Sequence, residues 1–256
     1  MSEAPTIRYE VVDAVAKVTL DRPKHNVFNI SMMQELNAVL DRIAADSELK
    51  CMVLLANGPS WCAGVDVGDH KPELVDAMID TFNGIFQRIH ALEIPTVAAV
   101  QGACLGGGME VAIACDIVLA SKKAVFGQPE VRLGFFPPYA AIRLPELVGV
   151  SKAIEICTSG KSYTADEALT MGFVSRVVEA DAFEGSVEKL LADFRASSPL
   201  ILKLNKTAVR QHVGTAFPAA VSGVSHLFLN RLMKTQDTLE GIASFYEKRK
   251  PVWKNA

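Results

Sequence analysis

Apolar positions along the chain follow two rhythms. Residues 7–12 and 15–20 alternate or are β-branched and end at Asp21-Arg22-Pro23, which predicts two paired strands. Ser31 precedes Gln34 by three residues, the spacing of a capping box, and Leu36, Val39, Leu40 and Ile43 then give a helix one apolar face. Residues 51–56 are a short unbroken apolar run, as expected of a strand buried on both faces, and 96–100 and 117–120 read as further strands. Phe82, Ile85, Phe86 and Ile89 predict a helix over much of 73–91. The stretch 102–108 reads as a glycine-rich loop and 110–114 as the helix after it. Past Ser198 no segment has a strand rhythm, so helices are expected to dominate. The order strand–strand–helix, then strand–helix alternation, indicates an α/β fold with largely buried strands. A boundary is placed between 1–197 and a helical region, 198–256.

Composition narrows the function classes. The chain has 256 residues, 50% hydrophobic and 21% charged, ample for a large core and unlike a disordered chain. A formal net charge of -3 gives no basic balance for nucleic acid. The five cysteines (Cys51, Cys62, Cys104, Cys115 and Cys157) form no CxxC pair, which fits buried free thiols in a reducing compartment. The histidines show no metal-ligand spacing. The N-terminus lacks the basic-then-apolar pattern of a secretion signal, and Gln101, Glu110 and Asp116 interrupt the richest apolar stretch. A cytoplasmic protein without a membrane partner is the expectation.

Chemistry concentrates in three segments: Ser60-Trp61-Cys62-Ala63-Gly64-Val65-Asp66, Gly102 to Glu110, and Phe126 to Gly134. In the second, three glycines precede a predicted helix. Accessible N–H groups at a helix start favour negative charge, whether phosphate or a developing oxyanion, although such a turn can equally be a close-packed loop with no ligand. The GxGxxG spacing and the GK[ST] ending are both absent. Glu110 lies in an otherwise small and apolar run. A carboxylate there is either structurally paired or functional, because burial without a partner is costly. Glu130 taken alone would be a surface carboxylate.

Together the segments resemble the crotonase (enoyl-CoA hydratase) superfamily over nearly the full length. The resemblance rests on Arg22-Pro23, Cys62 to Asp66, Gly106-Gly107-Gly108-Met109-Glu110, Cys115-Asp116 and Phe126-Gly127-Gln128-Pro129-Glu130. It continues through Gly160, Ala165 to Ala168, Met171 to Val174 and Glu247 to Pro251. It implies a spiral of ββα turns with an α-helical C-terminal region used in trimerisation, and trimers that pair into hexamers. It further implies an acyl-CoA thioester substrate whose carbonyl oxygen sits between the N–H groups of Val65 and Gly107. Hydratases of the family use two glutamates, here Glu110 for water and Glu130 for the proton to Cα. Lys24, Ala63, Asp66, Pro138 and Tyr139 are the expected further substrate-binding residues. CoA would enter as part of the substrate, and no metal, flavin or nicotinamide cofactor is expected.

Two segments depart from the family pattern. After the second glutamate the chain reads Gly134-Phe135-Phe136-Pro137-Pro138-Tyr139-Ala140-Ala141, one residue shorter than usual and without its glycines. The stretch Val67-Gly68-Asp69-His70 replaces a charged helical start. Both should border the acyl pocket. The leading expectation is an enoyl-CoA hydratase. Alternatives are a hydratase of a cyclic dienoyl-CoA (cyclohexa-1,5-diene-1-carbonyl-CoA type), an enoyl-CoA isomerase, and a CoA-binding oligomer without turnover.

Overall fold

The structure, a computed structural model, describes residues 5–256. It opens with the hairpin β1 (Ile7–Val12) and β2 (Val15–Leu20), followed by helix α1 (Ile30–Ala45). Three turns of a spiral come next. The first is β3 (Cys51–Ala56), β4 (Ser60–Cys62) and α2 (Val75–Ala91); the second is β5 (Thr96–Val100), β6 (Ala103–Leu105) and α3 (Gly107–Ala114). The third is β7 (Ile117–Ser121), β8 (Val125–Gly127) and the pair α4 (Ala140–Val148) and α5 (Val150–Ser159). Then come β9 (Ser162–Thr164), α6 (Ala165–Met171), β10 (Arg176–Val178) and α7 (Phe183–Arg195). The described chain ends in α8 (Pro199–Arg210), α9 (Phe217–Asn230) and α10 (Gln236–Glu247).

Each spiral turn places its first strand in one sheet and its second strand in another. The larger sheet has the order β1-β2-β3-β5-β7-β10 and is parallel from β2 onward. The smaller has the order β4-β6-β8-β9, with β4, β6 and β8 parallel. Strands buried on both sides need no alternation, which is why β3 and β5 read as continuous apolar runs. Helix α3 packs against strands of both sheets, and all eight of its residues are buried. A helix apolar nearly all round has no face to give to water and belongs in the core. Four of the five cysteines are buried, and burial pushes the thiols of Cys51, Cys62 and Cys115 up to about 12.

Two expectations need correction. The cap of α1 is Asn29, whose side chain accepts from the Met32 N–H at 2.9 Å; Ser31 lies inside the first turn. Asn caps as well as Ser, and the Ile30 N–H is already taken by Asp69 Oδ2 at 2.8 Å, so the helix starts earlier. The glycine-rich stretch is not all loop. Residues 103–105 form β6, and Gly107 and Gly108 are the first turn of α3. Poor helix formers occupy that turn because their neighbours come too close for a side chain.

Candidate active site

The three chemistry-bearing segments leave the carboxyl ends of adjacent parallel strands. Ala63-Gly64-Val65 follows β4, Gly106-Gly107 follows β6, and Gln128-Pro129-Glu130 follows β8, while Cys104 pairs with both Cys62 and Phe126. Carboxyl ends of neighbouring parallel strands are the usual place for a ligand in α/β proteins.

The glycine triplet lets these segments close on one another. A Cβ on Gly106 would stand 2.7 Å from Glu130 Oε1, one on Gly107 would stand 2.6 Å from Val65 Cγ2, and one on Gly108 would stand 2.4 Å from the Cys62 carbonyl oxygen. Gly106 also has a positive φ of 53°, which favours glycine.

The N–H groups of Val65 and Gly107 have no protein acceptor among the described residues. Phe28 bridges to the loop through its N–H on Gly64 O (2.9 Å) and its carbonyl on Asp66 N–H (2.7 Å). That pattern uses both neighbours of Val65 and turns its own N–H the other way. Gly107 is the first residue of α3, and the first N–H groups of a helix have no intrahelical acceptor. The expected oxyanion pair, Val65 and Gly107, is therefore a pair of unspent donors, the second with the helix dipole behind it.

Glu110 is 2% exposed. Its Oε1 accepts from the Tyr139 N–H at 2.7 Å and the Ala140 N–H at 2.9 Å, at the start of α4. Its other oxygen has no donor among the described residues. Burial raises its pKa to about 8; the Ala140 and Tyr139 N–H groups oppose the rise and the nearby Glu130 adds to it. Glu130 is half-buried, and burial raises its pKa to about 7. The bond-satisfying orientation of the fully buried Gln128 amide sets its nitrogen 3.1 Å from both Glu130 oxygens.

These groups border a cavity of about 300 Å³. Its wall includes Ala63, Val65, Gly107, Glu110, Glu130 and Pro138 from the sequence expectation. Val67, Met78, Phe82, Leu133, Phe135 and Phe136 make most of the rest apolar. Among the described residues, the one further polar side chain on the wall besides the two glutamates is His70. Its Nδ1 lies 2.9 Å from the Asp66 carbonyl, and its ring lies 4.7 Å from that of Phe135.

Tyr139, expected to bind substrate, has its ring elsewhere. It is stacked on Phe86 at 3.9 Å between centroids and is not on the cavity wall. Its contribution to the site is the backbone N–H that holds Glu110. Asp66 is likewise off the wall; it accepts from Gly68 N–H at 2.9 Å and shapes the turn that presents His70. Lys24 is exposed and outside the cavity. Neither Gln128 nor His70 stands out in the sequence as a site residue. The departure of 67–70 from the family pattern is the available signal for His70, and none points to the amide.

Comparison with known proteins gives the same grouping. The family model described as enoyl-CoA hydratase/isomerase matches residues 10–256. The short-chain-enoyl-CoA hydratase of Clostridium acetobutylicum is 35% identical over 243 residues, covering 92% of each chain. The cyclohexa-1,5-dienecarbonyl-CoA hydratase of Thauera aromatica is 32% identical over 261 residues, the full length of both. The crystal structure of an enoyl-CoA hydratase from Bacillus anthracis superposes with a TM-score of 0.90 at 26% identity, covering 98% of this chain and all of that one. With a spiral of ββα turns and a family match that runs from β1 to the last residue, the chain belongs to the enoyl-CoA hydratase/isomerase family.

Proposed function

We propose that the protein adds water across the conjugated C=C of an acyl-CoA thioester. The observation that carries this reading is one apolar cavity bordered by two unspent N–H donors and two carboxyl groups raised toward neutrality. The thioester oxygen is received by the Val65 and Gly107 N–H groups, which stabilise the charge that develops there as the enolate forms. One such donor typically lowers a barrier by about 3–4 kcal/mol. The pair shares one proton, which rests mainly on Glu110 and must move to Glu130 in the form that reacts. Glu110, held at Oε1, then offers its free oxygen to water and takes a proton as hydroxide oxygen bonds to Cβ. Glu130 gives its proton to Cα, and the enolate electron pair forms the new C–H bond. The proton then returns from Glu110 to Glu130, so each cycle restores one proton on the pair, which titrates as a unit. Addition of water involves no net redox change, so no cofactor is required and CoA serves as the handle of the substrate.

The enriched apolar exposure of the C-terminal helices supports assembly into trimers or hexamers. Val209, Phe217, Phe228, Phe245 and Tyr246 are all at least half exposed, more apolar surface than a monomer normally shows water. Sedimentation should give three or six times 27.6 kDa; a monomer at micromolar concentration would contradict this.

The departing 134–138 loop and the cyclic substrate named for the Thauera aromatica relative support including a ring among the candidate acyl groups. The test is a mass-resolved assay with crotonyl-CoA, longer enoyl-CoAs and cyclohexa-1,5-diene-1-carbonyl-CoA. A product heavier by one water is expected. Glu110→Gln and Glu130→Gln should each slow its formation by roughly 10²–10⁴-fold. Bound esters with no water adduct, or only isomerised products, would overturn the reading.

A further inference from the structure

We infer that His70 is a specificity-determining residue that selects acyl groups carrying a hydroxyl. The inference rests on the hydratase reading for its kinetic test and on the cavity alone for its binding test. It starts from the fact that, among the described residues, every other side chain on the cavity wall is apolar or belongs to the glutamate pair. His70 is thus the one polar side chain there that hydration leaves unused.

The imidazole is fixed in position and in tautomer. A carbonyl oxygen can only accept, so the 2.9 Å contact with Asp66 O requires Nδ1 to carry the proton. In the neutral ring Nε2 is then a bare acceptor. That contact is the only hydrogen bond of the His70 ring among the described residues. The Phe135 ring, 4.7 Å away and inclined at 33°, packs against the imidazole and limits its rotation. The two segments that depart from the family pattern, 67–70 and 134–138, therefore meet in this contact.

An acceptor on an apolar wall discriminates sharply. A substrate hydroxyl supplies its donor; a hydrocarbon end displaces water from Nε2 and returns nothing. Sites that hydrogen-bond a substrate hydroxyl reject the analogue without it far more strongly than an apolar pocket rejects an extra methylene.

The experiment compares hydroxylated and parent substrates of equal carbon skeleton. These are 4-hydroxycrotonyl-, 5-hydroxypent-2-enoyl- and 4-hydroxycinnamoyl-CoA against their unsubstituted counterparts, each read as the ratio of kcat/KM. For at least one pair the wild-type ratio should favour the hydroxylated member by about tenfold or more. Asn at this position keeps a side-chain donor for the Asp66 carbonyl but ends short of Nε2, so His70→Asn should bring the ratio back to about one. Gln reaches the Nε2 position with an amide, so His70→Gln should retain part of the preference. Calorimetric binding of 4-hydroxybutyryl-CoA against butyryl-CoA provides an arm independent of turnover, with the same preference expected. Hydration that proceeds with no hydroxyl preference in any pair overturns this inference and leaves the hydratase reading intact, as does a preference that survives in His70→Asn. Absence of hydration with a His70-dependent binding preference does the reverse.

Discussion

At Glu110, burial and hydrogen bonding act in opposite directions. Two N–H donors at a helix start favour the carboxylate, yet removal from water raises its pKa from the ordinary 4.5 to about 8. Burial wins because the charge is almost fully enclosed and no cation among the described residues pairs with it. The consequence for stability has a definite sign. A carboxyl group whose pKa is higher in the folded state binds its proton more tightly there, so its contribution is complete below about pH 4.5 and is lost as pH rises through 8. By pH 7 the loss is on the order of 3 kcal/mol. Glu110→Gln keeps an amide oxygen for Tyr139 and Ala140 but cannot ionise. Its urea-unfolding stability should fall less than that of the wild type between pH 5 and pH 8. Parallel pH profiles for the two proteins would show that Glu110 does not carry the shift.

The element that organises the site is the glycine-led α3 at the end of β6. Its glycines serve three neighbours, so substitutions at adjacent positions should fail in different ways. The methyl added by Gly107→Ala would press on Val65 Cγ2 and the tip of the Phe82 ring, both of which can shift. The shift displaces an oxyanion donor, so this variant should lose roughly 10²-fold in kcat with little change in Tm. At Gly108 the obstacle is the Cys62 backbone, which cannot yield without moving β4. Gly108→Ala should therefore unfold at clearly lower temperature. Measuring kcat and Tm for both variants checks the contrast, and equal loss of Tm in the two would refute it.

Across the whole molecule, helix α8 is tied to the spiral through Asp116, between α3 and β7. Its Oδ2 accepts from the Thr96 N–H (2.8 Å), the Thr96 hydroxyl (2.9 Å) and Lys206 Nζ (2.7 Å), and its Oδ1 accepts from Arg210 (2.6 Å). Burial holds Lys206 below the usual lysine range even with this counter-charge in place. Asp116→Asn would leave that ammonium enclosed with the Ile94 carbonyl at 2.7 Å but no counter-charge, which typically costs about 3–5 kcal/mol. For a chain of this size the expected fall in Tm is roughly 10 °C, readable by calorimetry; a fall below a degree or two would mean that the tie is dispensable.

The sequence alone determined the strands β1, β2, β3 and β5 with their bounds, because alternation and unbroken apolar runs are local signals that need no partner to be read. It also located the two glutamates and the two unspent donors that meet at the cavity. It did not reveal the three-residue strands β4, β6 and β8, which are too short to show a period, although their parallel pairing is what brings the three motifs to one place. Nor could it orient Tyr139, whose ring and backbone face different neighbours, or reveal the amide of Gln128 on Glu130. Those outcomes depend on which side of a residue meets which distant segment. Local pattern sets what an element is; only the closing of the spiral decides what each element's end confronts.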